Sequence, residues 1–189
     1  MQDLLSEIRT CTICKEKLQL GPNPVLAASE QSKIVIIGQA PGKKVHESGI
    51  PWDDKSGDRL REWLGGSKEQ FYDSKLIALI PMGFCYPGKG KSGDLPPTAE
   101  CAPQWHEKLL APMHSVKLRI LIGNYAQGYY LPESKDQNLT ERVKAFRSFL
   151  PNYVLPHPSP RNNIWLKKNS WFEEELLPEL RLAVSKVMD

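Results

Sequence analysis

Three groups of residues in this 189-residue chain have the types and spacing to do chemistry. The first is the full set of cysteines. Cys11 and Cys14 form a C-x2-C pair, and Cys85 and Cys101 follow after a long gap, sixteen positions apart. A C-x2-C turn presents two sulfurs to one point, and a remote pair can complete a four-thiolate cage. Spacing alone admits structural zinc about as readily as an iron–sulfur cluster, since both accept tetrahedral sulfur sets. The second group is Gly38-Gln39-Ala40-Pro41-Gly42. It lacks the spacing of a dinucleotide fingerprint or of a Walker loop. Its glycines and proline fix a tight turn that can expose backbone amides, and Gln39 projects both donor and acceptor atoms from it. The third group is His157-Pro158-Ser159-Pro160-Arg161-Asn162, where prolines stiffen the backbone around an imidazole, a hydroxyl and a cation.

These groups need elements to hold them. Lys33 to Gly38, Lys75 to Ile80, Lys117 to Gly123 and Tyr153 to Leu155 are short apolar runs ended by Pro, Gly or Asn, the pattern of buried strands. Helix-like stretches alternate with them: Ser56 to Leu64, Thr98 to Leu110, Asn124 to Leu131, Asn138 to Phe149 and Lys168 to Val187. Thr98 reads as an N-cap with Glu100 in the first turn, and Pro178 as a kink or boundary of the last helix. Strands alternating with helices predict a three-layer α/β/α sandwich around a central, mainly parallel four-stranded sheet. In such sheets ligands sit where strand carboxyl ends open into loops, and both unusual loops follow predicted strands.

Composition narrows the setting. The length suits a single domain over residues 1–189, and 40% apolar residues suffice for an ordinary core. The first residues include acids and lack the basic start and apolar run of a secretory signal, so a soluble, cytoplasmic chain with no membrane partner is expected. In that reducing compartment four cysteines favour metal ligation over disulfides. A net charge of +3 permits nucleic-acid binding without demanding it. Lys89 and Lys91, among glycines between the last two cysteines, are candidate phosphate contacts.

In this order and at these strand ends, the two loops resemble the signature motifs of the uracil-DNA glycosylase superfamily. GQAPG is similar to the first motif of its iron–sulfur (family 4) branch, usually GEAPG, and HPSPRN to the second motif of its single-strand-selective monofunctional branch. Gly49-Ile50-Pro51-Trp52 resembles the G-x-P-F element that sets an aromatic ring beneath an extruded base. The resemblance runs from Cys11 to roughly Pro178 and covers nearly the whole chain.

The resemblance implies an enzyme that hydrolyses the N-glycosidic bond of uracil, or of another deaminated base, during base-excision repair. It implies His157 as donor to the departing base, Gln39 in the slot that orients water, and Trp52 as stacking face, with Gly38 and Ala40 beside the base. Ser159 would bind a DNA phosphate and Arg161 would wedge into the duplex. The cysteine layout resembles that of the iron–sulfur branch and implies a 4Fe–4S cluster on Cys11, Cys14, Cys85 and Cys101, with zinc as the alternative. No lysine in the matched motifs resembles a lyase nucleophile, so the enzyme would be monofunctional, acting as a monomer on DNA containing a damaged base.

Two departures bear on specificity. The asparagine that family enzymes commonly place before the third cysteine is missing from Ile80-Pro81-Met82-Gly83-Phe84. Backbone groups or Asn124 would then read the base, or the substrate would be hypoxanthine or xanthine. Gln39 also replaces a carboxylate, and a neutral amide can orient water but cannot take its proton. A non-catalytic DNA- or nucleotide-binding descendant is the alternative reading.

Overall fold

Four consecutive branched residues, Ile34–Ile37, form β1, and each is fully shielded from solvent. A strand with no polar face must be covered on both sides, which places β1 in the interior of a sheet. Each such side chain contributes roughly 1.5–3 kcal/mol on burial. A computed structural model describes residues 1–188 and bears this out. The other strands are β2 (Ile77–Leu79), β3 (Lys89–Gly90), β4 (Gly93–Asp94), β5 (Leu118–Ile122) and β6 (Asn152–Leu155). The main sheet has the order β2-β1-β5-β6 and is parallel throughout, with Ile36 beside Leu79 on one flank and Ile120 on the other. Strands β3 and β4 form a separate antiparallel hairpin.

The helices are α1 (Gln2–Arg9), α2 (Lys43–Ser48), α3 (Lys55–Leu64), α4 (Lys68–Tyr72), α5 (Cys101–Leu110), α6 (Gly123–Tyr130), α7 (Leu139–Lys144), α8 (Asn163–Lys168) and α9 (Leu177–Met188). Helix α9 packs on β5 and α3, α6 on β5 and β6, and α4 on β2. The result is the predicted three-layer α/β/α architecture. No helix among the described residues is long and apolar enough to cross a membrane.

The structure corrects several boundaries. Helix α5 begins at Cys101 behind Glu100, so Thr98 does not cap it. The stretch predicted as one helix over Asn138 to Phe149 breaks after Lys144, and Phe146–Phe149 tightens into a 3-10 turn that seats Phe146 in the core. The predicted last helix is interrupted at Asn169 and widens into a π-turn over Phe172–Leu176 before α9. Pro178 has no N–H for the carbonyl four residues back, and its ring crowds that carbonyl, so a wider turn there relieves both conflicts. Helices α1, α2 and α4, all of α8 except Lys168, and the hairpin lie outside the predicted elements.

The strand order reverses beside β1, which is where a parallel sheet opens a crevice at its carboxyl edge. The chain leaves β1 into Gly38–Gly42 and leaves β6 toward His157 at that same edge.

Candidate active site

The loop after β1 is stitched to the segment after β2. Met82 N–H donates to the Gly38 carbonyl (2.8 Å) and Gly83 N–H to that of Gln39 (3.0 Å). Gly38 is required by a close approach, since a Cβ there would lie 2.7 Å from Cζ2 of Trp52. Trp52 itself adopts a left-handed backbone with φ of 58°, a conformation held only where the surroundings over-determine it. Gly57 supplies part of that constraint, because a Cβ at this position would fall 1.8 Å from the Trp52 carbonyl oxygen. Arg61 adds a hydrogen bond to the same oxygen (3.3 Å).

The loop after β6 is fixed by its own polar groups. Asn162 donates to the His157 carbonyl (2.7 Å), Arg59 donates to the Ser159 carbonyl (3.2 Å), and the Ser159 hydroxyl accepts from the Arg161 N–H (3.2 Å). The Ser159 N–H donates to Nδ1 of His157 (3.2 Å). Nδ1 is thereby the acceptor, so the ring proton resides on Nε2. Burial lowers the His157 pKa, although the carboxylates of Asp54 and Asp94 pull the other way. The imidazole is therefore neutral at physiological pH, with one N–H donor available. Its ring lies 5.8 Å from that of Trp52, at an interplanar angle of 32°.

Between the two loops opens a cleft of about 430 Å³. It brings together Gly38, Gln39, Ala40, Trp52, His157, Ser159 and Arg161, residues separated by more than a hundred positions in sequence. The Gln39 amide makes one long contact, to the Leu95 carbonyl (3.4 Å). Arg161 reaches across to the hairpin, its Nη1 donating to the Ser92 carbonyl (3.0 Å).

Other predicted site residues fall elsewhere. Asn124 is not in the cleft wall. Its Oδ1 accepts from Nη2 of Arg142 (2.5 Å), a buried cation that also takes Gln127 as a partner because an enclosed guanidinium needs acceptors. Lys89 and Lys91 are exposed on the hairpin, which presents Ser92, Gly93 and Asp94 to the cleft instead.

Two carboxylates in the cleft escaped the sequence reading. Oxygens of Asp94 and Asp54 lie 3.7 and 3.8 Å from the point where a Cβ on Gly42 would stand. Asp54 also caps α3, its Oδ1 accepting from Gly57 N–H (2.8 Å). An acid three residues before a glycine at the head of an amphipathic stretch is an N-cap signal that could have flagged it. Asp94 carries no comparable signal.

The four cysteines line one small cavity with Phe84 and Trp105. Burial pushes the Cys85 thiol up to about 11 and that of Cys101 up to about 12. Phe84 N–H donates to the Cys101 sulfur (3.3 Å). Among the described residues no three His, Cys, Asp or Glu side chains form a group that could hold one metal ion.

A parallel α/β/α sheet with a cleft at its carboxyl edge, holding a neutral imidazole, an amide, two carboxylates and an indole, places convergent polar groups where such sheets hold their binding or catalytic sites. The family model of the Uracil DNA glycosylase superfamily matches residues 26–181, and the chain belongs to that superfamily. Membership gives it a DNA-glycosylase type of role in general.

Proposed function

We propose that the protein hydrolyses the N-glycosidic bond of uracil, or of another deaminated base, in DNA and leaves an abasic site without lyase chemistry. One observation carries this reading: the Nε2–H of a neutral His157 shares a cleft with Gln39 and the Trp52 ring. A stacked base cannot reach such groups, so the nucleotide must first swing out of the helix. Stacking on Trp52 recovers roughly 1–3 kcal/mol of that cost.

As the bond breaks, the electron pair leaves with the base and charge develops on its carbonyl oxygen. A donor aimed there binds the transition state more tightly than the substrate. His157 supplies that donor through Nε2–H. The sugar cation is captured by water, whose oxygen bonds to the anomeric carbon. Gln39 orients this water, and Asp54, whose Oδ2 lies toward Gly42 in the cleft wall, accepts its proton. Ser159, Lys89 and Lys91 contact phosphates, and Arg161 leaves Ser92 to enter the gap in the duplex. The protein acts as a cytoplasmic monomer.

The four cysteines hold a 4Fe–4S cluster in this reading. The thiols share one cavity, and their order, an early C-x2-C pair and two later cysteines, resembles that of the iron–sulfur branch, which favours the cluster over zinc. The cluster would act structurally, tying the N-terminal segment and the hairpin loop to the sheet. Iron and acid-labile sulfide analysis of the purified protein distinguishes the two metals.

The experiment is incubation with single- and double-stranded oligonucleotides carrying uracil, hypoxanthine or xanthine, followed by alkali. Cleavage at uracil that requires the alkali step is the expected result. No cleavage across the panel, with DNA binding retained, identifies a non-catalytic binder instead. The missing asparagine before Cys85 makes the purine bases part of the panel.

A further inference from the structure

His106 has no part in the chemistry above, yet it is 2% exposed and makes two hydrogen bonds. Its Nε2 lies 3.0 Å from the Pro81 carbonyl and its Nδ1 2.6 Å from the Tyr130 hydroxyl. A carbonyl only accepts, so Nε2 carries the proton. In the neutral ring Nδ1 is then the acceptor, and the Tyr130 hydroxyl donates to it. The two partners thus select the same tautomer. Burial lowers the His106 pKa to about 4 and raises that of the Tyr130 phenol, which keeps both groups in the required forms. The ring is also packed against Phe84, with centroids 5.7 Å apart and planes within 12°.

The bond to Pro81 holds more than Pro81. The next two residues donate their N–H groups to the carbonyls of Gly38 and Gln39, and Phe84 donates to the Cys101 sulfur. The segment from Pro81 to Phe84 is therefore fastened to α5 at both ends, by His106 and Cys101, and to the Gly38–Gln39 loop in its middle. Removing the first fastening frees the end of the strap that sets the height of Gln39 in the cleft. We propose that His106 is a positioning residue for the water-orienting loop, fixing Gln39 through Pro81, Met82 and Gly83, with Tyr130 fixing His106. The effect on catalysis rests on the glycosylase reading, whereas the positioning itself does not.

The test compares His106→Phe, which keeps the stacked ring and removes both hydrogen bonds, with His106→Gln, which restores an N–H donor, and with Tyr130→Phe. The first readout is hydrogen exchange of the peptides covering residues 36–42 and 80–84, with β5 as internal control. His106→Phe should raise exchange at Met82 and Gly83 at least tenfold while β5 stays unchanged, and His106→Gln should restore most of the protection. The second readout is single-turnover base release on the substrate that wild type accepts. A misplaced catalytic loop costs on the order of 10- to 100-fold in the chemical step, with KM within about twofold of wild type and partial rescue by His106→Gln. Unchanged exchange at Met82 and Gly83 overturns the positioning role, whether or not the wild type releases any base. Altered exchange with unchanged base release overturns its catalytic consequence. Altered exchange in a wild type inactive across the panel leaves the positioning intact and removes the glycosylase reading alone. Should His106→Phe fail to fold, Tyr130→Phe carries the test, because it removes the partner that holds the ring in line with the Pro81 carbonyl: raised exchange at Met82 and Gly83 supports the positioning role and unchanged exchange overturns it.

Discussion

At His157 a single backbone hydrogen bond decides what the side chain can do. With Nδ1 occupied by the Ser159 N–H, the imidazole is a donor through Nε2, and its lowered pKa keeps it neutral where a cation would otherwise form. Asp54 is the complementary group, and its dual use as helix cap and cleft carboxylate makes it separable by mutation. Asparagine caps a helix as well as aspartate does. Asp54→Asn should therefore keep the melting temperature within a degree or two and lower base release by about 10²-fold or more. Equal loss of stability and activity would assign Asp54 to the cap alone. His106 makes a different prediction. In the unfolded chain it takes up a proton near 6.5, but in the folded protein only near 4. Between these values the unfolded state holds the extra proton, so stability is full above pH 6.5 and falls as pH drops toward 4. The loss is about 3 kcal/mol across that window. Chemical denaturation at a series of pH values should show this slope in wild type and a shallower one in His106→Phe.

At the scale of elements, the cleft depends on how tightly α3 approaches the Trp52 turn. Gly57→Ala places a methyl 1.8 Å from the Trp52 carbonyl oxygen, so either the helix or the turn must move. Overpacking of this kind costs about 1–3 kcal/mol, and the melting temperature should fall with base release. A variant with wild-type stability would show that Trp52 is not wedged by α3. The same scale explains what the sequence made legible. Buried parallel strands announce themselves because they have almost no polar face: Ile34–Ile37 is a continuous apolar run, and Leu118–Ile122 is one broken only by Arg119. Both site loops were readable because prolines and glycines concentrate where the strands end. Short helices were hidden, since five or six residues give too few turns for a periodic pattern, although the Ser67–Gln70 capping box at the head of α4 is a local signal of one. The hairpin was invisible because its strands are two residues each, and with it went the placement of Asp94 in the cleft. Asn124 was misplaced for another reason: its partner, Arg142, lies eighteen residues away and shows no sign in sequence of being buried.

Across the whole molecule, the cysteine cavity and the cleft are joined by the strap from Pro81 to Phe84, whose first residue lines the cleft and whose last lines the cavity. The N-terminal segment reaches the hairpin as well, through Gln19, which exchanges hydrogen bonds with the backbone of Lys89 (3.0 and 3.3 Å). If the thiols hold a cluster, Cys101→Ser should loosen the N-terminal segment first. Trypsin should then cut at Lys15 and Lys17 faster than in wild type while the sheet, seen by circular dichroism, persists. Equal cutting rates would place the stability of that segment in its apolar contacts alone.

The most direct measurement is single-turnover base release from a uracil-containing strand by wild type and by His157→Ala at neutral pH, with folding verified for both. One preorganised donor to a developing oxyanion is worth about 100- to 1,000-fold in rate, and a fall of that size is the predicted result. Base release by His157→Ala at the wild-type rate would contradict the assignment of the cleft's imidazole as the group that assists the base to leave.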